Sequence, residues 1–258
     1  MGLVPASTDA VIARVELGHR VHVLTRKEEL DATRLSGKVV VVLDILFATT
    51  TMVAALAHGA SEVIPVLDAS AARAAAAVMP ADSYVLSGEL HAQTLPGFVH
   101  PAPMALVQHG VRDKSVIYST TNGTVAITMS AGATRVYCGA LLNSRRLAEH
   151  LVARHAGDPL LLVCAGSAAN FNLEDFYGAG YLVECLADLL GPGADLSDAA
   201  LSARSLYRNC RAPAALLECR VGRMMQAHGL SHEVEFACRF DAHPVVPALD
   251  RGRLRIVA

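Results

Sequence analysis

From Lys38 onward the chain repeats one unit: an apolar run rich in Val, Leu and Ile, a short polar connection, and a helical stretch. Val39–Leu43 leads into a helix predicted from Thr49 to His58, and Glu62–Val66 into an Ala-rich helix ending near Pro80. Tyr84–Leu86 predicts a strand that runs into a long loop from Gly88 to Pro103. Ser115–Tyr118 leads to a short helix after Asn122-Gly123, Thr134–Cys138 to a helix with Asn143 as N-cap, and Leu160–Val163 to a helix from Glu174 to Leu190. Strands that alternate with helices through short connections pair in parallel and are covered on both faces. The pattern therefore predicts an α/β fold, a three-layer α/β/α arrangement with a largely parallel sheet. Hydrophobic residues make up 53% of the chain but aromatic ones only 5%, with no Trp. Its core must be built mainly of Ala, Val and Leu, which suits buried strands under Ala-rich helices.

Outside this repeat, Val11–Leu24 alternates around Gly18 and predicts two short edge strands. Gly191-Pro192-Gly193 is a clear break, after which Leu196–His228 predicts two helices and Val234–Cys238 a late strand. The 258 residues are expected to form one domain, allowing two closely packed lobes over about 1–190 and 191–258.

A formal net charge of −2 offers no basic field to a nucleic acid or an anionic membrane. Val39–Ala60 is apolar enough to suggest a membrane span, but Asp44 and the triplet Thr49-Thr50-Thr51 would have to be buried in lipid. It reads as strand, turn and helix. No signal-peptide pattern opens the chain, so a cytoplasmic location is expected. The six cysteines show no C-x-x-C pair and are expected to be reduced core residues. The expected partner is a small-molecule substrate, and a homodimer is left open.

Ligands in parallel α/β sheets collect where strand ends meet helix N-termini. Four motifs fall at such ends. In Leu43-Asp44-Ile45-Leu46-Phe47-Ala48-Thr49-Thr50-Thr51, a carboxylate followed by hydroxyls could hold a metal beside an oxyanion, or simply cap the next helix. A haloacid-dehalogenase phosphatase would place a second Asp at Leu46, and that class is excluded. Ser119-Thr120-Thr121-Asn122-Gly123-Thr124 offers hydroxyls and backbone N–H groups to an anion, and no Walker motif occurs. Cys164-Ala165-Gly166-Ser167 leads to Glu174 and Asp175, paired carboxylates early in a helix. Cys164 is a weak nucleophile candidate because no base is marked beside it. Ser87-Gly88-Glu89 supplies a second metal-ligand candidate in Glu89, followed by His91 as a candidate acid or base.

Taken in order, Leu43-Asp44-Ile45-Leu46 with Ala48–Thr51, Gly59–Val66, Gly88-Glu89, Gly97-Phe98, Thr120–Thr124, Leu142-Asn143, Cys164-Ala165-Gly166, Phe171–Asp175 with Ala179-Gly180, and Asp241 with Val246-Pro247 span most of the chain. Together they resemble the 2-phosphosulfolactate phosphatase family. The resemblance implies hydrolysis of a phosphate monoester on a small sulfonated or carboxylated acid, with bound Mg2+ held by Asp44 and Glu89. It further implies Asp44, Asn122, Glu174 and Asp175 as catalytic candidates. Phe47, Thr49, Thr50, Leu90, His91, Thr120, Thr121, Gly123, Thr124, Asn143, Gly166 and Ser167 become substrate-binding candidates. The family pattern has arginines where this chain has Phe47, Leu90 and Val125, and glycines where it has His91 and Ala92. Each lost charge-assisted contact is worth on the order of 1.5–3 kcal/mol. The sequence therefore predicts altered specificity: poor turnover of phosphosulfolactate and a preference for ligands with at most one anionic group. A silent or repurposed homologue is the alternative expectation.

Overall fold

The computed structural model describes residues 20–258. Among the described residues ten strands form one sheet. In chain order they are β1 (Val21–Leu24), β2 (Val39–Leu43), β3 (Glu62–Val66), β4 (Tyr84–Leu90), β5 (Gln93–Thr94), β6 (Ser115–Ser119), β7 (Arg135–Gly139), β8 (Leu160–Cys164), β9 (Pro247–Asp250) and β10 (Arg253–Ile256). Their spatial order is β1-β8-β2-β7-β9-β10-β3-β6-β4-β5. β2 lies between β7 and β8, parallel to both, and all of Val39–Leu43 is buried. A continuous apolar run is what a strand covered on both faces requires, and each such side chain contributes roughly 1.5–3 kcal/mol of burial.

The sheet consists of two parallel blocks, β1-β8-β2-β7 and β3-β6-β4. The hairpin β9–β10 joins them, antiparallel to β7 on one side and to β3 on the other. Three successive antiparallel steps reverse the sense of the second block, so in a flat sheet the carboxyl ends of β2 and β6 would lie on opposite rims. They nevertheless meet across two helices, α1 (Ala48–Ala57) and α4 (Gly123–Met129), the first residue of α4 packing directly against Asp44. Both helices touch strands of each block. One apolar cluster accordingly joins Val40 and Val42 of β2, Met52 of α1, Ile127 of α4 and Val63, Val116 and Tyr118 of the second block. Glu62 fastens the hairpin to β3: its buried carboxylate accepts from Ser115, Arg253 and Arg255.

The remaining helices are α2 (Ala69–Ala76), α3 (Pro103–His109), α5 (Ser144–Arg154), α6 (Leu173–Leu190), α7 (Asp198–Asn209), α8 (Ala214–Glu218), α9 (Arg220–Ala227) and α10 (Ser231–Ala237). Strand–helix alternation and a largely parallel sheet with helices on both faces are as the sequence predicts. Val39–Ala60 folds as strand, turn and helix, and among the described residues no helix is long and apolar enough to cross a membrane. All six cysteines are free.

Several local expectations are corrected. Val234–Cys238 is not a strand but lies in and just after α10, because Glu233, Val234, Phe236 and Ala237 bury one helical face. The late strands are instead β9 and β10. Leu196–His228 forms three helices rather than two. The loop after Tyr84–Leu86 is partly ordered as strand, β4 continuing to Leu90 and turning back through β5. Of the two edge strands expected over Val11–Leu24, the second is β1, and the first lies outside the described residues.

Candidate active site

At the junction of the two blocks, loops following β2, β4, β6 and β8 enclose a cavity of about 240 Å³. Asp44, Phe47, Glu89, His91, Thr120, Thr121, Asn122, Gly166, Ser167 and Glu174 line it. The β2 loop is held rigidly. Thr49 Oγ1 accepts from the Asp44 backbone N–H at 2.8 Å and donates to the Asp44 carbonyl at 3.0 Å. Thr50 Oγ1 donates to the Ile45 carbonyl at 2.6 Å. Both hydroxyls are buried in these bonds, so Thr49 and Thr50 shape the loop without lining the cavity. Gly123, the first residue of α4, packs against this loop. A Cβ there would overlap that of Ala48 and stand 2.7 Å from Asp44 Oδ2.

Glu89 is fixed by three donors. Thr121 N and Oγ1 donate to Oε1 at 2.7 and 2.9 Å, and Ala92 N donates to Oε2 at 2.7 Å. Its loop, His91-Ala92, is the two-residue turn between β4 and β5, with φ of 51° and 64°. Paired positive φ angles in such a turn favour Asn-Gly or Gly-Gly, so His91 and Ala92 hold a backbone that glycine adopts more freely. Thr124 Oγ1 donates to the Thr120 carbonyl at 2.8 Å, closing the first turn of α4 on the β6 end.

Asp175 is fully buried and accepts from Ile45 N at 2.9 Å and Gly166 N at 3.1 Å, tying the β2 loop to the β8 loop. It therefore supports the cavity from behind, while Glu174 lines it. Burial, the negative charge of Glu174 and that of Glu89 push the Asp44 carboxyl up to about 7, against the Ala48 N–H and the Lys27 charge. Burial also raises Glu174 and Asp175, the latter further through the charges of Asp44 and Glu174. Crowded carboxylates of this kind call for a proton or a cation.

Of the other sequence candidates, Asn143 lies apart from the cavity. Its Oδ1 accepts from Ala140 N, and its Nδ2 donates to the Cys138 and Val245 carbonyls, so it anchors β7 to the segment before β9. Leu90 faces a second, adjoining cavity lined by Leu67, Leu95 and Thr121, with Glu89 in the partition. Val125 lines neither cavity. Cys164 is buried and its thiol is raised well above the usual range by burial and by Asp175, which rules against a thiolate nucleophile.

Three contributors escaped the sequence reading. Lys27 is buried, and its Nζ donates to Asn122 Oδ1 at 3.0 Å and the Ala165 carbonyl at 3.1 Å. Arg220 lines the cavity, its Nη2 donating to Ser167 Oγ and, at 2.8 Å, to Asn172 Oδ1. Lys27 sits in the charged run Thr25–Glu29 and Arg220 in the C-terminal helices, where no spacing marks them. Asn172 belongs to the Phe171–Asp175 motif, the one signal the sequence carries for it.

The sequence matches the family model described as 2-phosphosulpholactate phosphatase over residues 24–252. A protein of Clostridium beijerinckii named "Probable 2-phosphosulfolactate phosphatase" is 29% identical over 237 residues, covering 91% of this chain and 98% of that protein. Proteins with the same name from Symbiobacterium thermophilum and Carboxydothermus hydrogenoformans are 34% and 32% identical. The first alignment covers 86% of this chain and 96% of the relative, the second 92% and 97%. The chain belongs to the 2-phosphosulfolactate phosphatase family.

Proposed function

We propose that this chain is a magnesium-dependent phosphatase acting on a small phosphorylated acid in the cavity between Asp44, Glu89, Asn122 and Glu174. Family membership supports the reaction class, and one observation supports the metal. Asp44 faces the cavity in a carboxylate cluster whose mutual repulsion a divalent cation would relieve. Among the described residues no three His, Cys, Asp or Glu side chains form a ready-made metal cage. Magnesium binds through one or two carboxylates and keeps waters and substrate phosphate as its other ligands. Asp44 and Glu89 would hold it, and when bound it would neutralise charge on the phosphate oxygens.

The chain's own groups have separable tasks. Thr121 and Ala92 orient Glu89. The Thr121 N–H is spent on Glu89 and that of Thr124 on Thr120, while Asn122, which lines the cavity, offers its N–H to a phosphoryl oxygen. Lys27 fixes the Asn122 amide. Glu174, on the cavity wall, orients the attacking water and accepts its proton as the water oxygen bonds to phosphorus, then returns that proton to the alcohol oxygen released when the P–O ester bond breaks. Asp175 holds the two loops in register throughout.

Specificity is shifted from the family's named substrate. Phe47 lines the cavity where the family pattern has arginine, and the aromatic ring cannot offset desolvation of a second acid group. Release of inorganic phosphate from 2-phosphosulfolactate, 2-phospholactate and isopropyl phosphate, with and without magnesium, tests both parts. Magnesium-dependent release from at least one is expected, and no release from any would refute the phosphatase reading. A kcat/KM on phosphosulfolactate of roughly 10⁴ M⁻¹s⁻¹ or more would refute the shift in specificity alone.

A further inference from the structure

We infer that Arg220 seats the acid group of the substrate, so that the cavity takes a phosphate monoester carrying one carboxylate or sulfonate. Arg220 opens α9, and its guanidinium closes the cavity wall beside the β8 loop. The acceptors it meets there, Ser167 Oγ and Asn172 Oδ1, are neutral and share a hydrogen bond of 2.9 Å with each other. Both are reached by Nη2 alone. A guanidinium has five N–H donors in a planar fork, so the Nη1 and Nε donors remain for a ligand. Among the described residues Arg220 makes no ion pair. Glu174, on the same wall, feels its charge without pairing with it.

The rest of the lining limits the number of acid groups. Among the described residues Arg220 is the only Lys or Arg side chain on the cavity wall. Lys27 lies behind Asn122, its ammonium committed to Asn122, Ala165 and Glu28. Beyond the polar Ser167, Asn172 and Glu174, the wall also carries Phe47, Val221 and Met224, which offer no charge to an acid group. One fork suited to a carboxylate or sulfonate, with no second Lys or Arg on the described wall, selects one such group and leaves a second unpaired. Arg220 also comes from a helix far in sequence from the positions where the family's arginines are missing, so a cation reaches the cavity by a separate route.

The identity of the ligand rests on the phosphatase reading, but the role of Arg220 can be tested without turnover. Phosphonoacetate carries one carboxylate and cannot be hydrolysed as an ester, and ethylphosphonate is its counterpart without the carboxylate. Titration calorimetry of the full chain with magnesium should show phosphonoacetate binding weakened about 10–100-fold in Arg220→Gln, the range for hydrogen bonds to a charged group. Ethylphosphonate should weaken by about threefold or less, within the scatter of a neutral hydrogen bond. Arg220→Lys, which keeps the charge but loses the fork, should fall between. Where turnover occurs, the kcat/KM ratio of 2-phospholactate to isopropyl phosphate should drop by about tenfold or more in Arg220→Gln. Equal weakening of both phosphonates, or unchanged phosphonoacetate binding, would overturn the assignment, as would failure of the unmodified protein to bind phosphonoacetate. Arg220-dependent binding without phosphate release from any ester would keep the assignment and remove the phosphatase reading instead.

Discussion

Replacing Asp44 by asparagine removes one negative charge from a cluster in which Glu174 and Asp175 are buried and Glu89 is near. A carboxyl held at about 7 rather than its usual 3.8 binds its proton more tightly in the folded chain than in the unfolded one. Folding then takes up a proton over that window. Its contribution to stability is present in full below about pH 4, declines as pH rises, and is lost above about pH 7. At 1.36 kcal/mol per pH unit the full displacement corresponds to about 4 kcal/mol. Asp44 opens onto the cavity, and water there screens part of this, leaving about 2–3 kcal/mol. Asn has the shape of a protonated Asp, so Asp44→Asn and the unmodified chain should be nearly equal in stability at pH 4. At pH 8 without divalent ions the variant should be more stable by about 2–3 kcal/mol, read by urea unfolding. Magnesium at about 100 times its Kd should then stabilise the unmodified protein at pH 8 by about 2.7 kcal/mol, and the variant much less. A stability difference between the two that does not change between pH 4 and 8 would show that the repulsion is not there.

Gly123→Ala should reduce both stability and phosphate release, because the added methyl must push α4 off Ala48 and Asp44; a cost of about 1–3 kcal/mol is expected by urea unfolding, and an unchanged midpoint would contradict the close approach. Ala92→Gly should stabilise the chain by about 1 kcal/mol, since φ of 64° is strained for alanine and free for glycine; a loss of stability would mean the turn is held open by other contacts. Phe47→Arg, Leu90→Arg and Val125→Arg together should raise phosphosulfolactate hydrolysis more than any one alone, with Phe47→Arg the strongest single change because Phe47 alone of the three lines the cavity. Strictly additive effects in steady-state kinetics would mean that the three do not share one substrate.

Local physics was legible in the chain itself. Runs such as Val39–Leu43 can be satisfied only as strands covered on both faces, and their alternation with helices leaves a parallel sheet as the arrangement that buries both. Asp44, Glu89, Thr121, Asn122, Gly166, Ser167 and Glu174 could be nominated for one site because the sequence puts each at a strand end or in the connection and helix start beyond it, where free N–H groups gather. Tertiary structure decided the rest. The C-terminal hairpin reverses one block of the sheet, and packing of α1 and α4 against both blocks brings the carboxyl ends of β2 and β6 together. No short-range pattern encodes such a pairing, because its partners are far apart in sequence and its single-bridge contacts leave no periodic trace. The same distance hid Lys27 and Arg220, and it sent Asn143 inward to bind Val245 rather than a ligand. A side chain's type sets what chemistry it can do, but which charges face one another depends on where the chain returns, and that is a property of the packed sheet alone.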